Sequence, residues 1–385
     1  MDTARLKASW DTVVGYGGQV PLFFYSALFL ADPGTREMFP VSMAGQRDKL
    51  VSALGHVVSH VDDLDSAVGF LQQLGRDHRK FSVAAEHYPV VGQALLTTLK
   101  HFLGQEWIPD LAEDWGAAYK LVSDVMITAA RDAAQVLPPW WEAEVVRHER
   151  RGVSVAVLTL RLDRPMPYAP GQSVSVETPL RPRVWRYYSP ANPARDDGMI
   201  ELHVRLVDGG TVSSALVQAV GTGDVLRVGP PVGSRLTLSH SQDVVLLCCG
   251  TGFAPFKALL GQIAQEGARR RAHLFLGART APDFYDTEAV KAFDRTLPQL
   301  TVVPTTLDDL RFQGARGHPA DVALRYGHWP DAEFYLCGSP DMVTDGRDLL
   351  RAAGIGEHRI HFEDFTSQVG PALKTIARGD KDFLL

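Results

Sequence analysis

The apolar run Val244-Val245-Leu246-Leu247-Cys248-Cys249 passes directly into Gly250-Thr251-Gly252, and Phe253-Ala254-Pro255-Phe256-Lys257-Ala258-Leu259 follows. A buried strand, a glycine turn and a helix with proline in its first turn make a phosphate-binding arrangement. Bare amides approach a pyrophosphate, which then rests on the helix N-terminus. Taken alone, such a turn is structural as often as it is functional. Upstream, Arg186-Tyr187-Tyr188-Ser189 sets a guanidinium, two aromatic rings and a hydroxyl in a row. An anionic ligand with a flat ring needs that charge and that platform. Singly, Tyr188 reads equally as a wall aromatic and Arg186 as half of a surface ion pair. Cys337 is either a thiol facing a ligand or a buried strand-end thiol.

Three textures along the chain must position these groups. In residues 1–135 apolar side chains recur at three- and four-residue spacing over Val20 to Leu30, Gln46 to Val58, Leu64 to His78, Tyr88 to Leu103 and Asp110 to Ala134. Pro33, Pro40, Pro89 and Pro109 stand near the breaks or at a helix start. This predicts an all-α domain. The segment Val136-Leu137-Pro138-Pro139-Trp140-Trp141 then reads as an extended connector. Period-two runs such as Val153 to Leu160 and Ser173 to Val176, parted by Pro/Gly turns, predict a small antiparallel barrel up to about residue 238. Beyond Asp243, the apolar strands Val244–Leu247, His273–Leu276, Leu300–Val303 and Phe334–Cys337 alternate with helical stretches, the rhythm of a doubly wound α/β domain. The expected division is 1–136, 140–239 and 240–366, with a tail over 367–385.

Composition narrows the function classes. Of 385 residues 45% are hydrophobic and 22% charged, the balance of a globular protein. A formal charge of −6, with no Lys/Arg block, argues against nucleic acid. No apolar run approaches a membrane span, and the first residues lack a signal-peptide pattern. Three cysteines make neither a disulfide framework nor a metal cluster, which fits a reducing cytoplasm.

Tyr168-Ala169-Pro170-Gly171-Gln172, Arg186–Ser189, Gly209-Gly210-Thr211-Val212-Ser213, Gly250–Pro255 and Phe334-Tyr335-Leu336-Cys337-Gly338-Ser339-Pro340 occur in the order of the ferredoxin-NAD(P) reductase superfamily, which residues 140–366 resemble. The resemblance implies FAD and NAD(P)H as cofactors. Tyr188 would stack on the isoalloxazine, Arg186 would neutralise phosphate and Ser189 would reach the ring, with Tyr168, Tyr187 and the aromatic Phe365 also at the flavin. Gly210, Val212 and Ser213 would offer donors to the pyrophosphate. Gly250, Thr251, Gly252, Phe253, Ala254, Pro255 and Gly338 would bind the nicotinamide nucleotide, with Cys337 beside the nicotinamide. Arg279 would meet a 2′-phosphate or be a solvated loop charge, and the reading leans to NADH.

Such a module only moves electrons, so the helical part should receive them. Phe24-Tyr25-Ser26-Ala27-Leu28-Phe29, Glu37-Met38-Phe39-Pro40, Gln46-Arg47-Asp48-Lys49-Leu50, Gly75-Arg76-Asp77-His78-Arg79-Lys80-Phe81, Glu86-His87-Tyr88-Pro89 and Trp115-Gly116-Ala117-Ala118-Tyr119 resemble the globin domain of flavohaemoglobins. Residue chemistry alone does not single out one histidine among 13. The resemblance implies haem b with His78 as the iron ligand, Phe39 packed on the porphyrin, and Tyr25, Gln46 and Leu50 on the distal side. Tyr25 would donate to a ligand oxygen that gains negative charge.

Two positions depart from the family. Ala130 stands where a glutamate usually partners the tyrosine matching Tyr88. Asp77 stands where a lysine usually pairs with a glutamate matching Glu363, leaving two acids, with Arg79 or Lys80 as candidate compensating charges. The family implies a nitric oxide dioxygenase: NAD(P)H reduces FAD, FAD reduces the haem iron, and dioxygen there oxidises nitric oxide to nitrate. A divergent electron-transfer oxidoreductase with another donor or acceptor is the alternative. A haem-based gas or redox sensor is a third reading, though no output domain is evident. The expected partners are small molecules (O2, NO, NADH or NADPH), with no nucleic acid, no obligate membrane insertion and no required protein partner.

Overall fold

A computed structural model describes residues 1–238, 242–267 and 270–365, and divides between Trp140 and Trp141 into two compact units. The tail expected over 367–385 lies outside the described residues.

The first unit is helical: α1 (Thr3–Val14), α2 (Gln19–Ala31), α3 (Ala44–Ser59), α4 (Leu64–His78), α5 (His87–Leu103) and α6 (Pro109–Ala134). Pro33 opens a short 3-10 turn and Pro109 takes the first position of α6, where its missing N–H costs nothing. Helix α1 lay outside the sequence reading. Asp2 caps it by accepting from the Arg5 amide, and Leu6, Trp10 and Val13 turn one buried face inwards. One core joins α1, α2, α5 and α6 through Trp10, Phe24, Leu28, Leu95, Leu99 and Trp115. A smaller one holds Phe70, Leu71, Tyr88 and Met126. At the α4/α6 crossing a Cβ on Gly75 would stand 2.3 Å from the Met126 carbonyl oxygen, so the two backbones touch there.

The second unit opens with β1 (Trp141–Arg151), β2 (Val155–Leu162), β3 (Val174–Glu177), β4 (Arg186–Tyr188), β5 (Met199–Arg205), α7 (Thr211–Gln218) and β6 (Val225–Val228). All strand pairs are antiparallel in the order β4-β3-β6-β1-β2-β5, and a Pro190–Leu202 bridge brings the two ends of the sheet together, as a barrel requires. The strand expected from Val153 begins two residues later because 152–154 form the hairpin turn.

Next come β7 (Val244–Cys249), α8 (Phe253–Gln265), β8 (Ala272–Ala278), α9 (Thr287–Thr296), β9 (Leu300–Thr306), β10 (Ala315–Arg316), α10 (Pro319–Tyr326), β11 (Glu333–Gly338), α11 (Pro340–Ala352) and β12 (Ile360–Asp364). Their sheet is parallel, ordered β10-β9-β8-β7-β11-β12. Alternate residues of β7 face opposite layers. Val244, Leu246 and Cys248 pack with α8 and α9, while Val245 and Leu247 pack with α10 and α11. This is the expected architecture: an all-α globin fold, an antiparallel barrel and a doubly wound α/β layer. Among the described residues no single helix is long and apolar enough to cross a membrane.

Candidate functional site

In the first unit the last residue of α4 is His78. Its Nδ1 donates to the Leu74 carbonyl one turn back at 2.7 Å, which leaves Nε2 with the ring's lone pair. Burial pushes the imidazole below its usual pKa, so the neutral, ligating form is favoured. Tyr88, on α5, is buried in the cluster that Leu74 adjoins. Burial pushes its phenol up to about 12, and its backbone carbonyl accepts from Tyr119 at 2.6 Å. Ala130, near the end of α6, carries a methyl that no phenol can pair with.

Tyr25, on α2, belongs to the larger core and is 6% exposed. Burial raises its phenol well above the ordinary value, so it keeps its proton and remains a donor. Its hydroxyl donates to the backbone carbonyl of Gln46, not to the side chain, at 3.3 Å. The Tyr25 ring meets Phe39 edge-on at 5.4 Å and stacks on Phe29 at 5.8 Å. Helix α3, which carries Gln46 and Leu50, buries only Val58; Leu50, Val51 and Leu54 are half-buried and pack, as Phe39 does, against the core that holds Tyr25. A half-buried apolar wall facing a buried phenol, with a neutral imidazole on α4, is a donor set and lining that fit a haem.

Asp77 accepts from Gln73 at 3.3 Å and pairs with the Lys80 ammonium at 3.7 Å. Arg79 turns instead to the Leu137 carbonyl at 2.5 Å. Glu363 belongs to the second unit and accepts from Ser173 at 3.1 Å. Each acid of the anticipated repulsive pair therefore has a partner within its own unit.

In the second unit strand alternation puts Arg186 and Tyr188 on one face of β4 and Tyr187 on the other. Tyr188 is half-buried, and burial raises its phenol. Tyr168 donates to the Asn192 carbonyl at 2.9 Å. Ser189 and Ser173 share a 3.2 Å hydroxyl contact. Ser173 gives its one proton to Glu363, so Ser189 donates to Ser173 and keeps its own lone pairs to accept. Gly210 is the N-cap of α7 with no side-chain cap, so the first amides of that helix, including those of Val212 and Ser213, point out unpaired by the helix. The Ser213 hydroxyl is spent locally, donating to Gly210 and accepting from Val207. Arginine on one strand face and open helix amides suit an anionic, ring-bearing cofactor such as FAD.

The turn Gly250–Gly252 runs into α8, again without a side-chain cap. Gly250 has φ +54°, and a Cβ on Gly252 would lie 2.1 Å from the Cys337 carbonyl oxygen, so the backbone path needs glycine at both. Thr251, Phe253, Ala254 and Pro255 are buried; the Phe253 amide already donates to the Gly250 carbonyl and Pro255 has none, which leaves the other backbone amides as the donors of this stretch. The Cys337 thiol is also fully buried, beside Cys248 in the strand register. Phe365, 38% exposed, is tied through its amide to the Gly338 carbonyl at 3.1 Å. Arg279 is exposed, with Asp308 at 3.9 Å. These elements fit a nicotinamide nucleotide at the C-terminal edge of the sheet.

Sequence reasoning missed Arg205, whose guanidinium nitrogen lies 3.1 Å from where a Gly250 Cβ would be. The signal was present: in Met199–Arg205 the apolar Ile200, Leu202 and Val204 alternate with Glu201, His203 and Arg205, a polar row on one strand face.

Comparison with known proteins agrees with this geometry. A globin family model matches residues 22–126, an oxidoreductase FAD-binding domain 142–236 and an oxidoreductase NAD-binding domain 246–348. A flavohemoprotein of Chromobacterium violaceum is 28% identical over 398 residues, covering 95% of this chain and 97% of that protein. One from Bacillus subtilis is 24% identical, covering 95% and 97%. Among solved structures, a flavohemoglobin from Malassezia yamatoensis with bound FAD and heme aligns with a TM-score of 0.76 at 19% identity, over 94% of this chain and 98% of that one. The FAD/NAD-binding domain of a nitric oxide dioxygenase from Vibrio cholerae aligns at 0.53 and 20% identity, over 58% and 98%. At those identities the structural likeness is one of fold.

Proposed function

We propose, since this chain belongs to the flavohaemoprotein family, that it is an NAD(P)H-dependent nitric oxide dioxygenase. The observation that carries this is the pairing, in one chain, of a complete nucleotide-and-flavin module with a helical pocket holding a neutral His78 and a buried, protonated Tyr25. When bound, the nucleotide supplies a hydride, FAD divides that electron pair, and haem iron supplies the centre where dioxygen and nitric oxide combine. One nitric oxide, one dioxygen and one electron make one nitrate, so atoms and charge balance.

The chain's own residues do the rest. The N-terminal amides of α8, with Arg205 beside Gly250, would hold the nucleotide phosphates, and those of α7, with Arg186, would hold the flavin phosphates. Tyr188 would give the ring a platform, and Ser189, which donates to Ser173, would have an acceptor oxygen left for a ring N–H. In the helical unit His78 offers Nε2, and its bond to Leu74 fixes the ring's rotation. Phe39, Leu50 and Leu54, packed against the core that holds Tyr25, would keep water from the haem on that side. The long 3.3 Å bond from Tyr25 to Gln46 is weakly held, so the hydroxyl can rotate its proton towards a ligand oxygen that gains negative charge. The small-molecule substrates and the absence of any required protein partner belong to this same reading.

The test is NADH-dependent nitric oxide consumption under air, with nitrate measured as product. The reading expects turnover far above an equimolar mixture of free haem and FAD. Turnover equal to that mixture contradicts it.

A further inference from the structure

Five polar side chains from three elements converge behind the nucleotide turn. Glu201 and His203 come from β5 of the barrel, Lys257 from the second turn of α8, and Tyr285 and Asp286 from the lip that opens α9. Lys257 Nζ lies 2.7 Å from Glu201 Oε1 and 2.9 Å from Asp286 Oδ2. His203 Nε2 is 2.8 Å from the same Glu201 oxygen, and His203 Nδ1 is 2.6 Å from the Tyr285 hydroxyl. A carboxylate only accepts, so Nε2 donates to Glu201, while Nδ1 shares a hydrogen bond with the Tyr285 hydroxyl. The His203 side chain is 0% exposed and that of Asp286 6%. Burial would raise the Glu201 carboxyl, yet the His203 bond and the Lys257 charge outweigh it and hold the group at about 2.

Buried charge is costly, and a set of this kind persists when each member is paired. Two details show what it displaces. Asp286 is the N-cap residue of α9, where a carboxylate ordinarily accepts from the helix amides, but it makes no capping bond and turns to Lys257. Glu201, His203 and Asp286 also present ligand atoms within 4.8 Å of one another. The Lys257 ammonium supplies the cation that such a donor set otherwise draws from solution.

The placement gives the set its task. Tyr285 and Asp286 line one recess with Gly250, Phe253 and Gly277, at the C-terminal ends of β7 and β8. Lys257 stands on the helix whose first amides face that recess. On the same helix a Cβ at Gly261 would lie 2.8 Å from Pro193 of the barrel, so α8 meets the barrel closely along this side. We infer that Glu201, His203, Lys257, Tyr285 and Asp286 form a positioning strut, which locks the α8 N-terminus and the 283–286 lip to barrel strand β5 and so sets where the nucleotide lies against the flavin. They are positioning residues, not catalytic ones: they act through the backbone of the recess. The inference rests on the nucleotide-and-flavin reading of this unit and is independent of nitric oxide as substrate.

The test uses the full-length holoenzyme and two readouts: the NAD+ dissociation constant by equilibrium titration, and the limiting rate of flavin reduction by NADH in anaerobic rapid mixing. Tyr285→Phe removes one hydrogen bond and leaves all the charges paired. We expect it to weaken NAD+ binding and slow limiting flavin reduction at least fivefold each, with FAD content and reduction by dithionite within twofold of the parent. Lys257→Met should do more, and Lys257→Arg should restore both values to within about twofold. A set that only stabilised the fold would lower the melting temperature and FAD content of Tyr285→Phe while leaving both nucleotide values unchanged. That result overturns the inference, as would NAD+ binding and flavin reduction within twofold of the parent in Tyr285→Phe and Lys257→Met alike. Absence of nitric oxide turnover in the parent enzyme, with these nucleotide effects present in the variants, would contradict the dioxygenase reading alone.

Discussion

The Nδ1 of His78 donates to the backbone carbonyl of Leu74, four residues earlier on the same helix, at 2.7 Å. The bond uses the last-turn carbonyl of α4 to fix the tautomer, so one side chain both ends a helix and aims a lone pair. It also supplies the orientation that a proximal glutamate at Ala130 cannot, since that position is a methyl.

Replacing that ring should separate the two units' chemistry. His78→Ala is expected to lower the haem-to-protein ratio at least tenfold, read from the absorption spectrum. Flavin reduction by NADH should stay within twofold, because no residue of the flavin or nucleotide set lies in the first unit.

Tyr25→Phe removes the donor and little else. The 3.3 Å bond to Gln46 is weak, so the stability loss should stay below about 1 kcal/mol. Nitric oxide turnover should fall by about 10²-fold, the scale on which one donor to a developing negative charge acts. Thermal melting and turnover, measured together, check the split.

Tyr119 and Tyr88 should behave in opposite ways. Tyr119→Phe deletes the 2.6 Å bond to the Tyr88 carbonyl at the place where Gly92 lets the Tyr119 ring in, and a cost of about 1–2 kcal/mol follows. Among the described residues the Tyr88 hydroxyl has no hydrogen-bond partner, so Tyr88→Phe should cost less than about 0.5 kcal/mol. Denaturant melts of both variants decide it.

Acid should loosen α3 through His56. Burial, then the neighbouring His60 at a ring distance of 4.3 Å, lowers the His56 pKa to about 4 from an ordinary 6.5. The unfolded chain therefore binds more protons between those values. The stabilisation is complete above pH 6.5 and is lost as pH falls towards 4. After screening at this half-buried site the loss is about 1–2 kcal/mol. A melting-temperature profile should flatten across that window in His56→Gln.

The nucleotide preference should be for NADH. Arg279 has Asp308 beside it, while the Asp283 and Asp309 carboxylates accept from the amides of Thr280 and Ala281, so acids surround the place where a 2′-phosphate would sit. An acid at that position suits a 2′-hydroxyl. The ratio of kcat/KM for NADH over NADPH should exceed about tenfold and should shrink in Asp308→Asn.

Much of this molecule was legible because its periodicity is strong. Helices α2 to α6 fall within a residue or two of their apolar spacing, and β7, β8, β9 and β11 contain the apolar runs read for them, while β10 and β12 were not read. Helix α1 escaped because its Leu6, Trp10 and Val13 are few and set among polar neighbours. Helix α7 was too short to show a period. The residues around Gly250 and Tyr188 could be read in order along the chain. The strut could not: β5, α8 and the lip before α9 become neighbours only when barrel and sheet pack together. Only the alternation of Glu201, His203 and Arg205 hinted that β5 turns a polar face inwards. Cys337 shows the converse: its place in a motif left two readings open, and only the folded strand shows that its thiol is enclosed.

The central claim is that one chain carries electrons from a nicotinamide nucleotide through a flavin to a haem held by His78. Anaerobic rapid mixing of the holoenzyme with NADH, followed at flavin and haem wavelengths together, tests it most directly. The account predicts that the flavin band bleaches first and the haem band then shifts to the ferrous form within the same mixing experiment. A flavin that bleaches fully while the haem stays ferric would contradict it.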